Sequence, residues 1–200
     1  MKEYRILALV GMLSLFSFNA ALAADQYAVD PVHSHIGFSV KHLVITNVKG
    51  DFTDYSGTIV YDEKDITQSS VNVTIKTASI HTGNQQRDDD LRSPNFLDAA
   101  QYPEMTFKST RIEPKEDGYL CTGMLTLHGV SKEISIPFDI EGPIKDPWGK
   151  TRIGVEATLS LNRQDYGIKY DKALDNGGAV VGNKVKISLN VEGIKQEAAV

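Results

Sequence analysis

The chain has little of what usually gives a function away. A single cysteine, Cys121, in 200 residues excludes an intrachain disulfide, so stability has to come from an ordinary apolar core. There is no basic excess: 21 Lys and Arg stand against 26 Asp and Glu, a net charge of −5. That balance excludes the basic stripe of a nucleic-acid binder, and no polybasic segment offers itself to an anionic membrane surface. The longest uncharged apolar run, Ile6 to Phe18, falls short of the roughly 20 residues a spanning helix needs. Nucleophile elbows, P-loops, dinucleotide fingerprints and H-E-x-x-H are all missing. So are internal repeats, low-complexity tracts and linkers. No catalytic constellation stands out, and none is assigned.

What is present begins with a leader. Lys2 and Arg5 precede the apolar run, and Ala21 and Ala23 stand at the −3 and −1 positions of an A-x-A cleavage site. This is the pattern of a secretory signal peptide over residues 1–23, which leaves one domain over residues 24–200. Its removal takes away Lys2, Arg5 and Glu3 and moves the net charge from −5 to −6.

After Ala24 the dominant signal is alternation with a period of two. "VNVTIKT" sets Val71, Val73 and Ile75 on one face, and "EISIPFDI" does the same with Ile134, Ile136, Phe138 and Ile140. "RIGVEATLSL" aligns Ile153 to Leu161, and "KVKISLNVEG" aligns Val185 to Val191. In "GYLCTGMLTLHG", Leu125 and Leu127 share a face with Gly123 and Cys121, where a thiol is usually an inert small hydrophobe. "GDFTDYSGTIVYD" reads as a further strand interrupted near Gly57, and "EPKEDGY" as a hairpin connection. The one break in the pattern is "NQQRDDDLRSPNFLDAAQYPEM". It predicts a short helix over Gln85–Arg92, with Asp88 and Arg92 spaced for an i,i+4 pair and the acidic run as its solvated start. Pro94 and Pro103 bound a second turn or short helix.

About eight antiparallel strands in one all-β domain stack as a sandwich or close as a barrel, and alternation fits both. A closed barrel of that size removes exposed edges and holds a small ligand, and Gly57, Gly123 and Gly154 suit the bends of a closing sheet.

Three of the five histidines lie within "HSHIGFSVKH". On a strand His42 continues the apolar face of Ile36, Phe38 and Val40, while His33 and His35 fall on the polar face. His35 and His42 then stand about 23 Å apart at 3.3 Å per residue, whereas zinc holds its ligands within about 2 Å. One metal cannot take all three. His81 and His128 lie near strand ends, no carboxylate or cysteine spacing supports a site, and no metal or cofactor is expected.

Six blocks in order carry a resemblance: "YAVDPVHSHIGFSVKHL", "GDFTDYSGTIVYDE", "RDDDLRSPNFLDAAQYPEMTFKST", "GMLTLHGVSKEISIPF", "DPWGKTRIGVEATLSLNRQDYGI" and "VKISLNVEG". Over about residues 26–194 the chain resembles the YceI family. In that pattern the positions of His33 and His42 are usually histidine and that of His35 is not. The resemblance implies an extended, lipocalin-like antiparallel β-barrel of about eight strands, with the short helical insertion near residues 85–100. It also implies a long internal cavity, a periplasmic location, and a role as carrier of a polyisoprenoid, isoprenoid quinone or other long-chain amphiphilic lipid. The alternative is a stress-response or protein-interaction barrel with a filled lumen; a metal-assisted enzyme ranks last.

By alternation the ligand-facing residues are Phe38, Val40, His42, Val73, Ile75, Phe107, Leu125, Leu127, Ile136 and Phe138. Met105 and Met124 are adaptable additions, although the alternation leaves the face of Met124 open. Arg92, Arg163 and Asp165 are the head-group candidates, and Trp148 in "DPWG" reads as a packed turn. A homodimer is compatible with the strands but nothing specifies one.

Overall fold

The period-two alternation becomes eleven strands joined in one antiparallel sheet. The computed structural model describes residues 24–170, 172, 173 and 179–197, so the signal-peptide reading of residues 1–23 lies outside the described residues. The strands are β1 (Asp25–Val29), β2 (His35–His42), β3 (Thr46–Phe52), β4 (Tyr55–Tyr61), β5 (Ser70–Lys76) and β6 (Ile80–His81). After helix α1 (Gln85–Arg92) come β7 (Glu104–Pro114), β8 (Tyr119–Leu127), β9 (Val130–Lys145), β10 (Thr151–Asn162) and β11 (Val181–Lys195). Eight of them, in the order β1-β4-β5-β7-β8-β9-β10-β11, form a ring that the β1–β11 pairing closes. Closure leaves no free edge in that ring.

The closing strand is shared. Residues 193–195 of β11 pair with β1, and residues 181–190 pair with β2. Thus β1 and β2 occupy successive lengths of one strand position, joined by the turn at Asp30–Ser34. β4 continues beside β1, and β3 beside β2. The strand expected over Gly50–Asp62 is therefore two strands, and the break falls at Thr53–Asp54 rather than at Gly57. Gly57 lies inside β4 opposite Val73, where a Cβ would come within 2.9 Å of the Val73 side chain. Close packing, not a bend, is what requires glycine there.

α1 forms over the expected residues, capped by the Asn84 side chain, which accepts from the Arg87 N–H. The expected Asp88–Arg92 pair does not form in this geometry. Arg92 donates to the carbonyls of Ala78 and Ile80 and to Asp89, which straps the helix to β6. Asp88 is 2% exposed rather than solvated, and it accepts from both the N–H and the hydroxyl of Thr82. Burial raises its carboxyl, but these bonds outweigh burial and hold it below the usual range. The tract between Pro94 and Pro103 is a series of turns.

The two ends of the barrel differ. At one, Tyr27, Ile59, Tyr61 and Ile153 pack as a core joined by Ile66, Val71 and Ile140. At the other, the described residues that follow β10 are held by Arg163 at 5% exposure. Its guanidinium donates to the carbonyls of Gly182, Ile168, Tyr170 and Val181 and to the Asn183 side chain. Arg163→Leu would leave those acceptors without a donor. It should cost about 3 kcal/mol or more, read as a lower urea midpoint at unchanged slope.

Candidate functional site

Side chains inside a filled barrel would be buried on every side, and here most are not. Val73, Ile75, Phe107, Leu125, Leu127 and Phe138 point inward yet remain half-buried, because they face a void. Its volume is about 230 Å³, and among the described residues no charged side chain stands in its wall. Apolar residues point in and threonine, lysine and glutamate point out, the reverse of a barrel that faces lipid on its outer surface.

Eight of the ten residues expected from alternation line this lumen: Phe38, Val73, Ile75, Phe107, Leu125, Leu127, Ile136 and Phe138. Met105 lines it too, while Met124 faces outward. The alternation also carried residues that no site reading singled out, among them Val155, Leu159, Leu161, Ile187 and Leu189. Cys121 lines the lumen as well, and burial pushes its thiol up to about 11. At neutral pH it is a protonated, unreactive wall residue.

Val40 and His42 line a second chamber of about 500 Å³ at the open end. Phe38 stands in the wall of both spaces. α1 contributes Arg87, Asp90 and Leu91 to this chamber, and Phe96 and Tyr170, stacked with ring centroids 4.5 Å apart, close another side. Thr82 holds the Arg87 guanidinium through its hydroxyl and its carbonyl. The chamber wall thus combines apolar side chains with His42, Arg87, Lys41 and the carboxylate of Asp90. The three head-group candidates lie elsewhere: Arg92 at the back of α1, Arg163 in its backbone clamp, and Asp165 exposed on the following turn. The arginine in the chamber wall is Arg87, one turn before Arg92 on the same helix. A side-chain hydrogen bond such as Arg92's to Ile80 has no signature in sequence.

The histidines separate as their spacing requires. His33 sits in the Asp30–Ser34 turn with its Nδ1 2.8 Å from Asp30, His35 is exposed on the outer face, and His42 reaches the chamber. His81 lies 3.4 Å from Asp88, and His128 Nδ1 is 3.1 Å from the Tyr166 carbonyl. Asp30, His33 and Glu192 offer ligand atoms within 4.8 Å of one another, a spacing a cation could use. Arg152 already supplies positive charge there: its guanidinium contacts Asp30, Glu192 and Asp146. The cluster ties the β1–β2 turn, β11, β10 and the β9–β10 turn together. His33, backed by the Val32 N–H and Arg152, holds Asp30 below the usual carboxylate range, and Arg152 does the same for Asp146. Trp148, in that last turn, is not packed; the residue is 82% exposed and Asp146 holds its backbone N–H.

Because these two carboxyls are lowered in the folded state, their contribution is complete above the unfolded range, about pH 4. It is lost as the pH falls through the lower folded values. Arg152→Met should therefore shift the acid-unfolding midpoint, followed by circular dichroism, to higher pH.

The sequence profile of the YceI-like domain matches residues 27–193. Protein YceI of Escherichia coli O157:H7 is 37% identical over 185 residues, covering 92% of this chain and 93% of that one. The crystal structure of the Campylobacter jejuni YceI protein is 30% identical with a TM-score of 0.68, covering 98% of this chain and 100% of that one. A polyisoprenoid-binding domain from Saccharophagus degradans, implicated in plant cell wall breakdown, has the same fold. It is 17% identical with a TM-score of 0.65 over 85% of this chain and 98% of that domain.

Proposed function

The chain belongs to the YceI family, and from that premise we propose that it carries a long apolar lipid of the polyisoprenoid or isoprenoid-quinone class in its lumen. The observation that carries the reading is the uncharged, half-empty interior walled by Phe38, Val73, Phe107, Leu125 and their neighbours. A tail left in water is unfavourable by about 0.8 kcal/mol per CH₂-sized group, so a long tail repays enclosure. The lumen and the chamber together reach the scale of ligand sites, about 300–1,000 Å³. The tail lies in the lumen and the polar head beside His42 and Arg87, with Phe38 at the passage between them. The same fold in a polyisoprenoid-binding domain supports this assignment.

The alternative of a lumen filled by its own side chains describes only the end packed by Tyr27, Tyr61 and Ile153. The scattered histidines favour binding over metal-assisted catalysis. The leader pattern over residues 1–23 supports export and, with it, a periplasmic carrier.

Leu125→Trp tests the reading directly, since the indole would occupy tail space without breaking the ring of strands. Displacing two or more CH₂-sized groups should weaken binding of a polyprenol about tenfold or more, measured by titration under native mass spectrometry. Met124→Trp, on the outer face of the same strand, should bind as the parent does. Equal binding by both variants would remove the lumen as the site.

A further inference from the structure

The tip between β2 and β3 is built against ordinary preferences. Leu43 and Val44 have φ of 51° and 65°, a region costly for a branched side chain such as valine. Hydrogen bonds from the Leu43 N–H to the Val180 carbonyl and from the Ile45 N–H to the His42 carbonyl hold the conformation. Its outcome is that Val44 is 60% and Ile45 80% exposed, beside the chamber wall formed by Lys41, His42 and Val180.

Around this apolar tip the sheet gathers charge of one sign. Ser39 pairs with Lys49 on one side and Lys186 on the other, which places the two lysines about 10 Å apart across three strands. Lys41 lies two residues along β2, and Lys184 two along β11. All four are exposed, and none enters an ion pair among the described residues. The neighbours of Lys184 and Lys186 on β10 are the uncharged Asn162 and Ser160. Among the described residues Asp51 lies one same-face step beyond Lys49 on β3, on the side away from the tip, and Asp90 of α1 shares the chamber wall with Lys41. A chain of net charge −5 has thus set four lysines, unpaired among the described residues, next to two exposed aliphatic residues, Val44 and Ile45.

We propose that the β2–β3 tip and the lysines behind it form a docking surface for an anionic lipid bilayer. Ile45 and Val44 enter the interface while Lys41, Lys49, Lys184 and Lys186 face the anionic head groups, so that apolar insertion and electrostatic attraction act together. Docked this way, the chamber opens onto the bilayer, the source of a lipid that water does not dissolve. The proposal rests on the carrier reading for its purpose, and on the tip and the patch for its geometry.

The full chain already contains a reporter. Trp148 is its one tryptophan, and it lies beyond the far end of β11 from the tip, since β11 begins opposite His42 and ends beside β10's first residues. That separation is about 45 Å along fifteen residues of strand. The experiment is flotation with vesicles of phosphatidylcholine alone and of phosphatidylcholine mixed with phosphatidylglycerol, at low and high salt. Binding should require phosphatidylglycerol, weaken at least about tenfold with salt, and leave Trp148 emission unshifted. Val44→Ser with Ile45→Ser, and separately Lys49→Glu with Lys186→Glu, should each weaken it about tenfold or more. Both variants should keep the parent's melting curve and its bound lipid by native mass. No binding at low salt, equal binding to neutral vesicles, variants that bind as the parent does, or a blue shift of Trp148 would each overturn the docking surface. Vesicle binding by a protein whose lumen takes no lipid would overturn the carrier reading alone.

Discussion

Where β11 passes from β1 to β2, one strand position has to change hands without leaving buried backbone groups unpaired. The turn at Asp30–Ser34 does this. The Asp30 N–H donates to the Glu192 carbonyl, the Ser34 hydroxyl accepts from the Glu192 N–H, and the Tyr55 hydroxyl donates to the Ser34 carbonyl. Arg152 then draws Asp30, Glu192 and Asp146 onto one guanidinium. Without that seam β1 could not close the eight-stranded ring while β2 extends the sheet beyond it. The open end, the chamber and the tip all follow from β2 and β3 standing where they do. "DPVHSH" is therefore first of all a joint, and His33 belongs to it.

A closed ring with strict alternation has an apolar inside whether or not the chain can fill it. Near the seam it is filled, by Tyr27, Tyr61 and Ile153. Toward α1 the inward side chains stop short of one another, and the void between them is the feature that function has to explain. The polarity along the barrel runs from packed core to apolar lumen to a chamber edged by His42 and Arg87. That order matches an amphiphile with its tail inward and its head at the mouth. Arg163 and Arg92 serve this arrangement indirectly, by fixing the backbone at Tyr170 and Val181 and the helix that wall the chamber.

Much of this was legible in the sequence because it depends on near neighbours. Period-two patterning placed Phe38, Phe107 and Leu125 inward, and the break in that patterning marked α1 near Gln85–Arg92. The β3–β4 break was missed because Thr53 and Asp54 carry weaker turn chemistry than Gly57, whose role is close packing against Val73. Asp88 read as solvated because its partners, Thr82 and His81, are set by the fold rather than by helical spacing. Trp148 read as packed because composition does not reveal that its turn projects past the barrel. The basic patch was invisible for the same kind of reason. Lys41 and Lys49 are separated from Lys184 and Lys186 by most of the chain, and only strand register brings them onto one face.

The central claim is that the lumen is occupied in the cell by a long apolar lipid. Native mass spectrometry of the protein recovered without detergent, followed by organic extraction of whatever it holds, tests this most directly. The account predicts one apolar chain of defined mass per barrel. A clean unliganded mass that stays unchanged after incubation with polyprenol and isoprenoid quinone would contradict it.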